Sequence, residues 1–91
     1  MVVYLAGAIT GVREYKQVFS SWERKLTKSG YTVLNPATLP LGMPDASYMP
    51  ICMAMIDQAD IIALIPGWEN SKGVNLEISY AEYQGKEIGS L

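Results

Sequence analysis

Three short apolar runs alternate along the chain with three helix-like stretches, and a weaker run follows the last of them. Val2 to Ala6 is apolar almost without interruption and passes into Gly7-Ala8-Ile9-Thr10-Gly11. That pattern predicts a buried parallel strand entering a glycine-flanked loop, where backbone can approach a ligand closely. The glycines fit neither the dinucleotide nor the Walker spacing, and tight turns use glycine routinely. Tyr15, Val18, Phe19, Trp22 and Leu26 then recur at helical spacing, while Arg13, Glu14, Lys16, Glu23, Arg24, Lys25 and Lys28 fall largely off that stripe. The spacing predicts an amphipathic helix ended by Ser29-Gly30, with its aromatic residues packed on a sheet.

Tyr31 to Leu34 reads as a second strand, halted at Asn35-Pro36. The connection from Asn35 to Ala46 contains Pro36, Pro40, Gly42 and Pro44 and exceeds the usual roughly two to six residues. It suits a functional loop and a proline-stiffened surface loop equally. Ser47 is the expected N-cap of a helix with Pro50 in its first turn. Tyr48, Met49, Ile51, Cys52, Met53, Met55, Ile56 and Ala59 make that helix apolar almost all round. Burial on two sides is expected, with a second copy of the chain as the second cover. Ile61 to Ile65 is the most strand-like run and ends at Pro66-Gly67; a last helix follows from Ser71 to about Gln84, with Gly85 at C′ and a short strand from Lys86 to Leu91.

This βαβ(loop)αβαβ order predicts one domain over residues 1–91: a three-layer, doubly wound α/β domain of flavodoxin or Rossmann-like type. Its parallel sheet has about four strands in the order 2-1-3-4. The chain reverses between the first and third strands, so a crevice opens at their C-terminal ends. Three segments converge there: Gly7 to Gly11, Gly67 to Ser71, and the start of the last helix.

That helix start carries the chemistry. In Ser71-Lys72-Gly73-Val74-Asn75-Leu76-Glu77, free N–H groups at the helix start suit an anion or a sugar hydroxyl. Glu77 shares the row Val74, Glu77, Ile78, Ala81 that should face the sheet. A carboxylate there is either a ligand-facing acid or a structural charge favoured by the helix dipole. Composition narrows the partners. The net charge is −2, with no run of Lys or Arg, so neither polymeric nucleic acid nor an anionic membrane is expected. One cysteine and no histidine leave no disulfide framework and no zinc set, and no cofactor is expected. Met1 to Ala6 lacks a basic leader and the apolar runs are far too short to span a bilayer, so a cytoplasmic location is expected.

Tyr4-Leu5-Ala6-Gly7-Ala8-Ile9-Thr10-Gly11, Asn35-Pro36-Ala37, Ala59-Asp60, and Ser71-x-Gly73-x5-Ser79 around Glu77 resemble the nucleoside 2-deoxyribosyltransferase superfamily, which includes deoxynucleoside monophosphate N-glycosidases. The stretch Leu64 to Gly73 is similar to a short branch common in phages and bacteria, whose members mostly lack an assigned activity. The resemblance implies a small-molecule nucleoside or nucleotide substrate cleaved or transferred at its N-glycosidic bond. Glu77 would be the nucleophile, Tyr4 would help hold it, and Ser71 would contact the sugar or its phosphate. Gly7, Ala8, Ile9, Gly67 and Gly73 would complete the binding loops. The acid that protonates the leaving base in such enzymes matches Cys52 here, and a thiol is a poor substitute for a carboxylic acid. Asp57 is rotated well away from Cys52 on the helix, and Glu69 fits a crevice acid and a solvated loop acid equally. Longer relatives carry residues beyond the last strand that complete a neighbouring subunit's site, whereas this sequence ends at Leu91. A homodimer or higher homo-oligomer is expected. The same crevice suits the alternative of a protein that binds or sequesters a nucleotide-like ligand without turning it over.

Overall fold

The computed structural model describes residues 1–91. Four parallel strands, β1 (Val2–Ala6), β2 (Thr32–Leu34), β3 (Ile61–Leu64) and β4 (Glu87–Ser90), lie in the order β2-β1-β3-β4. Three helices connect them: α1 (Tyr15–Lys28), α2 (Asp45–Gln58) and α3 (Lys72–Tyr83). This is the expected doubly wound topology. Because side chains alternate across a strand, each central strand feeds two cores. Val3, Leu5, Ala63 and Ile65 pack with Phe19 of α1. Tyr4, Ala6, Ile62 and Leu64 pack with Cys52 and Ile56 of α2 and with Val74 and Ala81 of α3.

The two ends of the sheet are finished differently. At the end where the strands begin, an Asp60 carboxylate oxygen accepts from Val2 N–H at 2.7 Å, and Asp60 N–H donates to the Val2 carbonyl at 2.8 Å. This clasp fixes the register that pairs Val3 with Ile61. At the other end, β1 runs into Gly7, where an added Cβ would stand 3.0 Å from both Ile65 Cβ and Phe19 Cζ. Core packing therefore excludes a side chain there, beyond any need for ligand approach. Helix α3 is bounded by an N-cap, Ser71, whose hydroxyl oxygen accepts from Val74 N–H at 3.3 Å. Its far end is a Schellman turn, in which Lys86 N–H donates to the Ala81 carbonyl and Gly85 N–H to Glu82, with Gly85 at φ +73°.

Several local expectations are corrected. Ser47 is not an N-cap: α2 begins at Asp45, after Pro44, and Pro50 lies inside the helix. Pro44 supplies an extended residue at the boundary and Asp45 a favourable first-turn acid, so the helix starts earlier than the Ser47-Pro50 pair suggests. Val18 is exposed, and only Phe19 of the α1 stripe is buried outright; a single helix over the β2–β1 side of the sheet has too little surface facing it to bury the whole row. β2 starts at Thr32 and β4 at Glu87, each one residue later than the apolar pattern suggests. In α2, Cys52 and Ile56 are buried while Ile51 is exposed, so within one chain the helix is covered on one side.

Candidate active site

The C-terminal ends of β1 and β3 open into a cavity of about 870 Å³, within the range of small-molecule sites. Its floor holds two polar side chains. Tyr4 is fully buried on β1, and its hydroxyl donates a 2.6 Å hydrogen bond to Glu77 Oε2 on α3. Glu77 is 7% exposed. The third group at the floor is the thiol of Cys52, which interacts with both.

Burial sets the protonation of this cluster. It pushes the Tyr4 hydroxyl far above its usual range, and the Glu77 charge pushes the same way. The Tyr4 hydroxyl therefore keeps its proton and donates it to Glu77. Burial also raises Glu77, opposed first by the hydrogen bond from Tyr4 and then by the neighbouring Cys52 thiol. Cys52 is raised chiefly by burial, so its sulfur stays a neutral thiol rather than a reactive thiolate. The cavity floor is thus a carboxylate with a held proton donor on one oxygen and a weak one nearby.

Gly7, Ala8 and Ile9 line the cavity from the β1 loop, Gly67 from the β3 loop, and Ser71 and Gly73 from the start of α3. All these residues, with Tyr4, Cys52 and Glu77, meet in one place. Gly67 stands at φ +96°, which a side chain would strain. The Ser71 hydroxyl oxygen is occupied as the helix cap, but its proton remains free to donate into the cavity. Asn75 braces this corner, donating from Nδ2 to the carbonyls of Glu69 and Ser71 at 3.0 and 2.9 Å.

Two candidate acids lie elsewhere. Glu69 is exposed on the turn Trp68–Asn70 and does not line the cavity. Asp57 faces the α2–α3 surface, where its carboxylate accepts from the Tyr80 hydroxyl at 2.7 Å and from Gln84 Nε2 at 3.4 Å. Helical rotation away from Cys52 accounts for that placement.

The cavity also has a wall that, Cys52 apart, is not among the residues expected from the sequence. Asp45, Tyr48, Met49 and Cys52 all line it from α2, at the i, i+3, i+4, i+7 spacing of one helix face. The loop before α2 supplies Leu39, Leu41 and Met43. Tyr48 pins that loop, donating to the Pro40 carbonyl at 2.6 Å and accepting from Met43 N–H at 3.3 Å. Lys72 is the one cation on the lining, and Asp45 and Glu77 are its two acids. The helical spacing from Asp45 to Cys52 was the available signal; starting the helix at Ser47 hid it.

A family model described as Domain of unknown function (DUF4406) matches residues 1–90. The chain belongs to that family. No curated protein matches the sequence. Among solved structures, this DUF4406 chain is similar to a CMP N-glycosidase from Clostridium botulinum, at TM-score 0.74 and 23% identity over 99% of this chain and 70% of that one. It is also similar to a 2-deoxyribosyltransferase from Bacillus psychrosaccharolyticus, at TM-score 0.79 and 22% identity over 99% of this chain and 71% of the other. A 2-deoxyribosyltransferase from Leishmania mexicana matches at TM-score 0.76 and 21% identity, over 99% of this chain and 63% of that enzyme. At these identities the likeness is one of fold. No helix of the DUF4406 chain is long and apolar enough to cross a membrane.

Proposed function

We infer that this chain is a nucleoside 2-deoxyribosyltransferase-like protein that cleaves or transfers at the N-glycosidic bond of a nucleoside or nucleotide, with Glu77 as nucleophile. The observation that carries this reading is the buried Glu77 carboxylate, held by Tyr4 at 2.6 Å on the floor of a cavity of about 870 Å³. A carboxylate kept out of water needs a reason beyond stability, since burial disfavours its charge. Attack on the anomeric carbon supplies one. The carboxylate forms a C1′–O bond, the base departs with the electrons of the C1′–N bond, and water or a second base later displaces the glutamate. Tyr4 fixes one oxygen, and the other is the one to attack the sugar. Ser71, Gly67, Gly73 and the Gly7–Ile9 loop surround the sugar and whatever it carries. The fold shared with N-glycosidases and deoxyribosyltransferases supports the same reading.

Residues 1–91 would then be one such domain, of the short phage and bacterial branch, working in the cytoplasm without a cofactor. The protein would be a homodimer or higher homo-oligomer that covers the open side of α2, where Ile51 is exposed.

One observation favours a second reading. Cys52, a neutral thiol, is the group beside Glu77, so no carboxylic acid adjoins the reacting bond. A protein that holds a nucleotide-like ligand without turning it over fits that floor. Chromatography of bases released from a panel of ribo- and 2′-deoxynucleosides and their 5′-monophosphates separates the two. Released base that disappears in Glu77→Gln upholds the enzyme; ligand-dependent thermal stabilisation with no released base upholds the binder.

A further inference from the structure

We propose that Asp45 reads the far edge of the nucleobase and selects bases that carry an amino group beside a ring nitrogen; this rests on the nucleoside reading above. Seven residues separate Asp45 from Cys52 on one face of α2, a distance of about 10 Å along the axis. Cys52 adjoins the Tyr4–Glu77 pair at the floor, and Asp45 is exposed on the same cavity's lining. Tyr48 and Met49 lie between them, offering a ring and a polarisable thioether to a flat heterocycle. A nucleoside with its anomeric carbon at Glu77 and its base against this wall directs the base's distal edge towards Asp45.

That edge decides what the carboxylate does. A 4-aminopyrimidine or 6-aminopurine presents an exocyclic NH2 next to a ring nitrogen. When the ring nitrogen takes a proton from water, the edge becomes an amidinium with two parallel N–H donors, matched to two carboxylate oxygens as a guanidinium is. An oxo base such as uracil or hypoxanthine offers the same carboxylate one ring N–H beside a carbonyl oxygen, one donor and one repulsion in place of two donors. Holding the protonated base also eases its departure: as the C1′–N bond breaks, its electron pair cancels the positive charge and the base leaves neutral. Glu77 forms the C1′–O bond, and the water that later cleaves the ester returns one proton to solvent, replacing the one taken up. This places the proton at the base's far edge, where an acid stands, rather than beside Cys52, where none does.

The test compares cytidine with uridine and adenosine with inosine, as 5′-monophosphates in ribo and 2′-deoxy forms, on wild type and Asp45→Asn. Base release and thermal-shift affinity are both read. Wild type should favour the amino member of a pair by about 10–100-fold. Asp45→Asn, whose amide offers one acceptor and one donor, should erase or reverse that ratio with the melting temperature little changed. A wild type indifferent within both pairs, or a preference that survives Asp45→Asn, overturns the proposal. Amino-base preference in binding that Asp45→Asn removes, with no base released by wild type, upholds Asp45 and overturns the N-glycosidase reading. Absence of both binding and release overturns both.

Discussion

Tyr4 and Glu77 are 73 positions apart in sequence and joined by a 2.6 Å hydrogen bond at the floor of the cavity. The bond couples protonation to geometry: Tyr4 remains a donor while burial lifts Glu77. Glu77 is therefore disfavoured as an anion by burial and favoured by its partner.

Replacing Tyr4 with Phe removes that donor. The Glu77 pKa should rise further, because the Tyr4 bond is what opposes burial most strongly. The acidic limb of the kcat–pH profile should then move to higher pH. Stability should fall by about 1–3 kcal/mol, the cost of leaving a buried acceptor without its donor. Denaturant unfolding and a pH–rate profile measure the two effects, and an unmoved limb would detach Tyr4 from the chemistry.

Glu77→Gln should abolish turnover, by on the order of 10³-fold or more, as expected for loss of a nucleophile. Its effect on stability has a definite sign. Glu77 is raised in the folded state, so folding binds a proton that the unfolded chain releases, and stability is lost as pH rises through the folded pKa. Gln carries no such penalty. The melting temperature of the variant relative to wild type should therefore climb as pH rises above the ordinary carboxylate range. A difference that stays flat with pH would show that Glu77 titrates as an ordinary carboxylate.

Cys52→Asp places a carboxylic acid beside Glu77. If lack of an adjacent acid limits the rate, release of unactivated bases should rise by about 10²–10⁴-fold, while the melting temperature drops because a second buried acid joins the first. A faster rate in wild type than in the variant would assign base protonation elsewhere, and the Asp45 comparison then locates it.

Oligomerisation is testable without substrate. The outer side of α2, with Ile51 exposed and Met55 half-buried, should lie in a contact that holds a dimer at tens of micromolar. Specific interfaces bury about 1,200–2,000 Å², and Ile51→Glu should break this one. Sedimentation that finds wild-type monomer across that range refutes the contact.

The fold was legible because its signals are local. Val2 to Ala6 and Ile61 to Ile65 are unbroken apolar runs, Gly85 marks a helix end, and alternating elements leave few topologies. Glu77 was legible for a related reason: it breaks an apolar stripe, and such a break is visible at helical spacing, whereas Tyr4 and Cys52 beside it followed only from the family resemblance. What was not legible depends on contacts distant in sequence. Nothing local shows that Gly7 is pressed between Phe19 and Ile65, or that Asp57 is engaged by Tyr80. Asp45 was missed for a subtler reason, since a boundary error of a few residues removed it from the helix whose face defines the wall.

The clasp between Asp60 and Val2 lies at the opposite pole from the cavity. Strand alignment is thereby anchored far from the loops that line the cavity, so those loops can vary in length and residue type without setting the sheet out of step. A lineage built on this frame can exchange the wall from Leu39 to Met49 for another and keep the Tyr4–Glu77 pair in place. On the proposed function, the acid that faces the base would then be free to change position while the nucleophile does not, and an acid on α2's first turn rather than two turns further in would be one outcome such freedom permits.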